Sequence, residues 1–369
     1  MRRGVIPACL TTVCAVALTA CTADVDTAAP ATTTTPRPTT VAPTTVAPTT
    51  VAPTTTTVAP TTTGLATATV PPQERLIELC GSPTSFLLGQ VEHPELDEAS
   101  GLVASRRHRD VIWAHNDGGE DTGLFALGLD GADLGFHRVL LDDAVDIEDI
   151  AMVSGPDGDD VLLADIGDNG TSRTSIRLFR FAEPEPWAIE PITDVEVLEF
   201  EYPDRPHNAE VLLVDEANDR LVIVTKEQRQ TDGIPPDLAP TAPSFVFEGP
   251  LDGHSGEPVA LTAAGMLDAP LLETRTVAAT PHPASLLGIG GLPTGGDVSA
   301  DGAIIALRTY ETIWVWARPL GRSVAESLAD EPCQAQIAPE PQGEAVAVRG
   351  DSLITVSEGV NPNLFELRP

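Results

Sequence analysis

The chain has 369 residues and a formal net charge of −34, with 55 acidic against 21 basic side chains. Phosphate backbones need a basic footprint, so nucleic acid is excluded as a partner, and the same acidic surplus opposes docking of the folded part on anionic lipid. Its plainest consequence is solubility.

Residues 1–20 read as a lipoprotein-type signal peptide. Arg2 and Arg3 form a basic n-region, and Val5 to Leu18 is a mostly apolar stretch too short to span a bilayer. The segment ends in Leu18-Thr19-Ala20-Cys21, which resembles a bacterial lipobox, whose cysteine sulfur takes a diacylglycerol before cleavage. Lipidation at Cys21 would place the protein outside the cytoplasm, anchored to the outer face of the cell membrane without spanning it. The alternative is an ordinary signal peptide that happens to contain a cysteine.

Residues 21–72 read as a Thr/Pro-rich disordered stalk. The unit Thr-Thr-Val-Ala-Pro recurs at Thr39–Pro43, Thr44–Pro48 and Thr49–Pro53. Such a tract has no large apolar side chains to bury, and its prolines favour extended polyproline II, giving a reach of roughly 100 Å. Its hydroxyls are candidates for O-glycosylation.

Residues 73–369 are the structured part, and the expectation there is an all-β fold. Five short apolar runs open at Ser100, Asp149, Glu210, Asp297 and Glu344, and each is followed by a second run ending in polar residues. Turn signals separate the runs, among them Asp130-Gly131, Asn218-Asp219, Asp301-Gly302 and Gly350-Asp351. Repeated strand pairs of this kind indicate a single β-propeller, in which equivalent residues of every blade face one axis. The repeat predicts five blades. Six is the alternative, because the interval from Glu210 to Asp297 is long and holds the Pro-rich insertion Gly233 to Pro243. One helical pattern stands out, over Ser323 to Leu328.

The last repeat supplies only three strands, so the segment Ser85 to Val91 is expected to complete that blade and close the ring as an N-terminal strand. Cys9 and Cys14 leave with the signal peptide and Cys21 is taken by lipid, which leaves Cys80 and Cys333. Outside the cytoplasm two such thiols pair, and a Cys80–Cys333 bridge would lie near the closure. The alternative is two buried, unpaired cysteines.

The opening position of the first strand carries most of the candidate chemistry. Glu98 (beside Ser100), Asp149, Glu210, Asp297 and Glu344 are expected to converge on the axis, with Asp168, Asp146, Glu148 and Glu358 nearby. Converging carboxylates raise one another's pKa values unless a cation intervenes. Oxygen ligands of this kind suit calcium, so Glu98, Asp149, Asp168, Glu210, Asp297 and Glu344 are the candidate metal ligands. The bland alternative is that they satisfy backbone N–H groups and arginines at strand ends. His115, His207, Arg308 and Lys226, the single lysine of the chain, are the basic groups in the same motifs. No Gly-x-Ser-x-Gly elbow occurs and the histidines are scattered, which argues against a serine triad and a catalytic zinc. Trp314 and Trp316 alternate along a strand, as a ligand platform or, more simply, as packing between blades.

Together, Glu98-Ala99-Ser100-Gly101, His115-Asn116-Asp117, Asp165-Ile166-Gly167-Asp168-Asn169, His207-Asn208-Ala209-Glu210 and Ser357-Glu358-Gly359 make the region from Glu98 to Gly359 resemble a family of secreted bacterial β-propellers. That family is distantly similar to phytase-like propellers, which hold calcium at one channel mouth and hydrolyse phosphomonoesters. The chain departs from them in having no cluster of lysines and arginines to grip a phosphate. Two functions follow. One is a membrane-tethered binding propeller taking a small polar ligand, an envelope glycan or a protein at an acidic channel mouth, with calcium as a candidate ion. The other is a calcium-dependent phosphoester hydrolase, in which His115, Lys226 and Arg308 are the candidate catalytic groups.

Overall fold

The computed structural model describes residues 70–369 except 82, 119–121, 142, 230–240, 253–255, 269–283, 285 and 287. The signal-peptide, Cys21 and most of the stalk expectations lie outside these residues, and so does most of the Gly233–Pro243 insertion. Among the described residues no helix is long and apolar enough to cross a membrane.

The chain enters through helix α1 (Pro72–Gly81) and strand β1 (Thr84–Gln90) and then builds five sheets. Blade one is β2 (Ala99–Ala104), β3 (Val111–Asn116), β4 (Gly123–Gly128) and β5 (Asp133–Arg138). Blade two is β6 (Ile147–Ser154), β7 (Asp159–Asp165), β8 (Ile176–Ala182) and β9 (Glu196–Glu201). Blade three is β10 (Ala209–Asp215), β11 (Arg220–Thr225), β12 (Ser244–Pro250) and β14 (Thr262–Leu267). Between its last two strands, β13 (Val259–Ala260) leaves to pair in parallel with β9, giving blade two a fifth strand. Blade four is β15 (Pro293–Val298), β16 (Ile304–Thr309), β17 (Ile313–Ala317) and β18 (Cys333–Ala335), with helix α2 (Val324–Leu328) before its last strand. Blade five is β19 (Gly343–Arg349), β20 (Ser352–Ser357) and β21 (Asn363–Arg368), with β1 at its outer edge.

The five inner strands touch in a ring, β2 on β6, β6 on β10, β10 on β15, β15 on β19 and β19 back on β2. Sandwiching between neighbours explains why β2, β3, β10 and β16 are buried along nearly their whole length and read as continuous apolar runs. Each neighbouring pair of blades shares one apolar cluster, and there are five such clusters. Trp314 and Trp316 belong to the one between blades three and four, packed on Val211, Leu213 and Val222. They are core and not a ligand platform. Tight turns fall where the sequence marked them, with Gly302 and Gly350 at φ 69° and 59°, a region a side chain disfavours.

The fold expectation takes corrections. The six-blade alternative gives way to five, because the long interval before Asp297 contributes an edge strand to blade two and, among the described residues, no sixth sheet. The all-β expectation holds, with two short helices, α1 and α2, beside the sheets. Closure by an N-terminal strand is corrected as well. β1 does supply the missing outer strand of blade five, against β21, as expected of Ser85 to Val91, but no sheet joins blades five and one, so no strand seals the ring. The seal is the apolar interface of Leu102, Ile112 and Ala114 with Ala345, Ala347 and Ile354. Helix α1 braces the neighbouring joint: Leu79 is buried between blades four and five, and Arg75 bonds Asp301 at 2.6 Å and Asp351 at 2.8 Å. Cys80 of α1 is joined to Cys333 of β18 by a disulfide, with Cα atoms 5.9 Å apart.

Helix α2 follows its sequence signal. Ser323 accepts from the Glu326 amide at 3.0 Å while the Glu326 carboxylate takes the Ser323 amide at 2.9 Å, a reciprocal cap.

Candidate functional site, an acidic cavity on the propeller axis

Every inner pair of strands carries a β-bulge at the same place. The register slips between Ala99 and Gly101, Ile147 and Asp149, Ala209 and Val211, Pro293 and Gly295, and Gly343 and Ala345. The residues at the slip are Ser100, Glu148, Glu210, Thr294 and Glu344. A bulge re-aims one side chain out of the pleat, and repeated around a ring it turns those side chains toward one mouth of the channel.

That mouth holds a cavity of about 310 Å³ with contributions from all five blades. Glu98, Ser100 and Asp117 come from blade one, Asp146, Glu148 and Asn169 from blade two, Glu210, Lys226 and Gln228 from blade three, Tyr310 from blade four, and Gln342, Glu344 and Glu358 from blade five. Among the described residues, seven carboxyl groups thus face one ammonium. Lys226 Nζ sits 2.5 Å from Glu210 Oε1 and donates to Tyr310 Oη at 2.8 Å, and it also lies 4.8 Å from the Tyr310 ring centre.

Glu148 is different. It is buried, and its carboxylate accepts a long hydrogen bond from Ser100 Oγ at 3.4 Å. The Ser100 hydroxyl has a single proton, and its closer acceptor is the Glu148 carbonyl at 2.8 Å. The Glu148 carboxylate therefore lines the cavity with only this long contact to Ser100 and, among the described residues, no ion-pair partner.

Burial, and behind it charge crowding, raises the pKa values of the lining carboxyls. Burial, then Glu210 and Asp146, push Glu148 well above the usual carboxylate range. Burial raises Glu210 while Lys226 opposes the rise. Burial takes Glu344 to about 8, again against Lys226. Asp117, Asp146 and Glu358 are raised chiefly by burial, and Glu98 chiefly by Asp117. Burial alone would lower Lys226, but Glu210, Tyr310, Glu344 and Glu148 reverse the sign and hold it firmly protonated.

Of the six expected metal ligands, the cavity unites Glu98, Glu210 and Glu344. Asp149 lies one residue past its bulge and is turned away. Its Oδ2 accepts from Leu212 N at 2.8 Å and Gly296 N at 3.2 Å, and its Oδ1 from Ile150 N at 2.9 Å, so it ties blades two, three and four. Asp297 lies three past the bulge and accepts from Val298 N and Val348 N, both at 2.7 Å. It lines a separate cavity of about 160 Å³ at the other end of the inner strands, with Arg106 and Arg318. Burial raises both carboxyls, Asp297 to about 7. Asp168 caps a local turn, accepting from Ser172 N and Arg173 N at 2.7 Å. For these three the structural alternative holds. Among the described residues no three His, Cys, Asp or Glu side chains are gathered closely enough to hold a metal ion as they stand.

The three candidate catalytic groups part in the same way. Lys226 lines the cavity. His115 is buried under Gly101, where an added Cβ would lie 2.3 Å from its Nε2, and burial lowers its pKa to about 4. Arg308 is fully buried and paired with Glu340 at 2.7 Å. His207 is spent on Glu227 at 2.6 Å and Asp204 at 3.0 Å. Sequence reasoning missed Asp117, Tyr310 and Gln342 as lining groups. The available signal was their shared place just before the first strand or just after the second.

No protein-family model and no curated protein matches the chain. Among solved structures it is similar to a luciferin-regenerating enzyme, 11% identical with TM-score 0.42 over 78% of this chain and 96% of that one. It is also similar to the calcium structure of a Trichoderma reesei carbohydrate-active enzyme of family AA12, 8% identical with TM-score 0.40 over 79% and 98%. A nidogen/laminin complex matches at 11% identity and TM-score 0.38 over 71% and 73%. Likeness at this level carries no argument about activity.

Proposed function

We propose that the protein is a non-catalytic binding propeller, held outside the cytoplasm by a lipid on Cys21, that takes a small cationic ligand into its axial cavity. The single observation that carries this reading is the Glu148 carboxylate, buried, lining the cavity and, among the described residues, without an ion-pair partner. A buried carboxyl without a cationic partner stays protonated, and a cation bearing hydrogen-bond donors lets it ionise and pair. Cavity size supports a small ligand over a glycan chain or a protein surface. The phosphoester-hydrolase reading is weaker here: a phosphate would meet seven carboxyl groups, and the one cationic lining group is already engaged by Glu210. Calcium remains the second candidate occupant because the lining is built of hard oxygen donors.

The test is thermal denaturation of the full chain with methylammonium chloride, calcium chloride or sodium chloride at matched ionic strength, for wild type and Glu148→Gln. Methylammonium should raise the Tm of the wild type and leave the variant unmoved. A response to calcium alone would replace the amine by the metal, and no response to either would overturn the reading. Tethering is tested separately, since Cys21→Ala should move the protein from the membrane fraction to the soluble one.

A further inference from the structure

We infer that the ligand is an elongated primary amine, with its ammonium head in the axial cavity and an apolar arm in a groove over blade five; this rests on the cationic-ligand reading above. The groove has a volume of about 370 Å³, and its walls include Pro339, Pro341, Val360, Pro362 and Phe365. Glu358 belongs to the walls of both the groove and the cavity, so the two spaces adjoin. The Gln342 amide donates to both Glu358 and Glu344, which fixes the ridge between them. Three prolines give the groove a stiff backbone, and Val360, 69% exposed, offers an apolar surface that no part of the described chain covers.

The chemistry of the head follows from the cavity. An ammonium has three N–H donors and is satisfied by acceptors set apart around it. A divalent ion needs several oxygens drawn close, which the lining does not present as it stands. A quaternary ammonium is recognised by aromatic faces. Among the described residues the one aromatic lining the cavity is Tyr310, and Lys226 already lies 4.8 Å from its ring centre. A primary ammonium bonding to Glu148 fits best, and the mouth toward Glu358 is where a substituent on it would emerge.

Isothermal titration of the full chain with methylammonium, n-hexylammonium and n-hexanol tests this, using wild type and Val360→Ser. Hexylammonium should bind at least about tenfold more tightly than methylammonium, a difference of about 1.4 kcal/mol, because a few methylenes leave water. Val360→Ser should shrink that advantage and leave methylammonium affinity as it was, and hexanol should not bind. Equal affinity for the two amines, an advantage untouched by Val360→Ser, or hexanol binding as well as hexylammonium would each overturn the inference while leaving the cationic head in place. Failure of both amines to bind would remove the underlying reading with it.

Discussion

Lys226 Nζ lies 2.5 Å from Glu210 Oε1 at the centre of a cavity whose other ionisable lining groups are Tyr310 and six further carboxylic acids. Breaking a buried pair by removing one partner leaves an uncompensated charge, which is strongly destabilising. Lys226→Met should therefore cost about 3–5 kcal/mol in urea denaturation near neutral pH. At acid pH Glu210 can take a proton in place of its partner, so the loss should shrink. A loss that did not depend on pH would mean the lysine acts through packing alone.

The raised carboxyls give the fold a pH dependence with a definite sign. Glu344 moves from 4.5 to about 8 and Asp297 from 3.8 to about 7, both chiefly by burial. Between those limits the folded state holds protons the unfolded state has released, so stability is highest below the lower values and falls as pH rises through the upper ones. A bound cation favours the ionised forms and should expel protons. Titration of methylammonium near pH 7, in two buffers of different ionisation enthalpy, should show net proton release. Proton uptake would contradict the assignment of these acids.

The blade count was legible because buried inner strands read as continuous apolar runs and Asp-Gly turns punctuate them. The site was legible only in outline. In Glu148-Asp149-Ile150 either acid fits the repeat, and the alternating period of a strand gives the two opposite fates. The bulge at Glu148 decides it, sending Glu148 to the cavity and Asp149 into the inter-blade hydrogen bonds. At Thr294-Gly295-Gly296-Asp297 a larger offset, three residues instead of one, hid Thr294, whose hydroxyl bonds the Gly343 carbonyl at 2.9 Å, behind a more conspicuous acid. Bulge position depends on pairing across strands, which no local window contains. Helix α1 escaped notice because its burial rests on distant partners, Arg75 reaching residues 226 and 275 positions away.

The Cys80–Cys333 bridge closes a loop with a sequence separation of 253 residues, from α1 to the outer strand of blade four. In the chain-entropy description a loop of that length stabilises by about 5–6 kcal/mol, less whatever strain the native bridge carries. The double variant Cys80→Ser/Cys333→Ser should lose an amount of that order in chemical denaturation. Cation affinity should survive, because neither cysteine lines the axial cavity. Loss of affinity at temperatures where the variant is still folded would show that the brace on blades four and five also shapes the mouth.

Asp149 offers the sharpest separation between a metal ligand and a structural acid. Its two oxygens take three backbone N–H groups from blades two, three and four. An asparagine has one acceptor oxygen, so Asp149→Asn must turn an NH₂ group toward at least one of those donors. The expected cost is about 1–3 kcal/mol in thermal or urea denaturation, the penalty of a buried polar group left without its partner. Methylammonium and calcium affinities should not change, since Asp149 does not reach the cavity. A ligand role, which its place in the sequence repeat had indicated, makes the opposite demand: binding lost and stability spared.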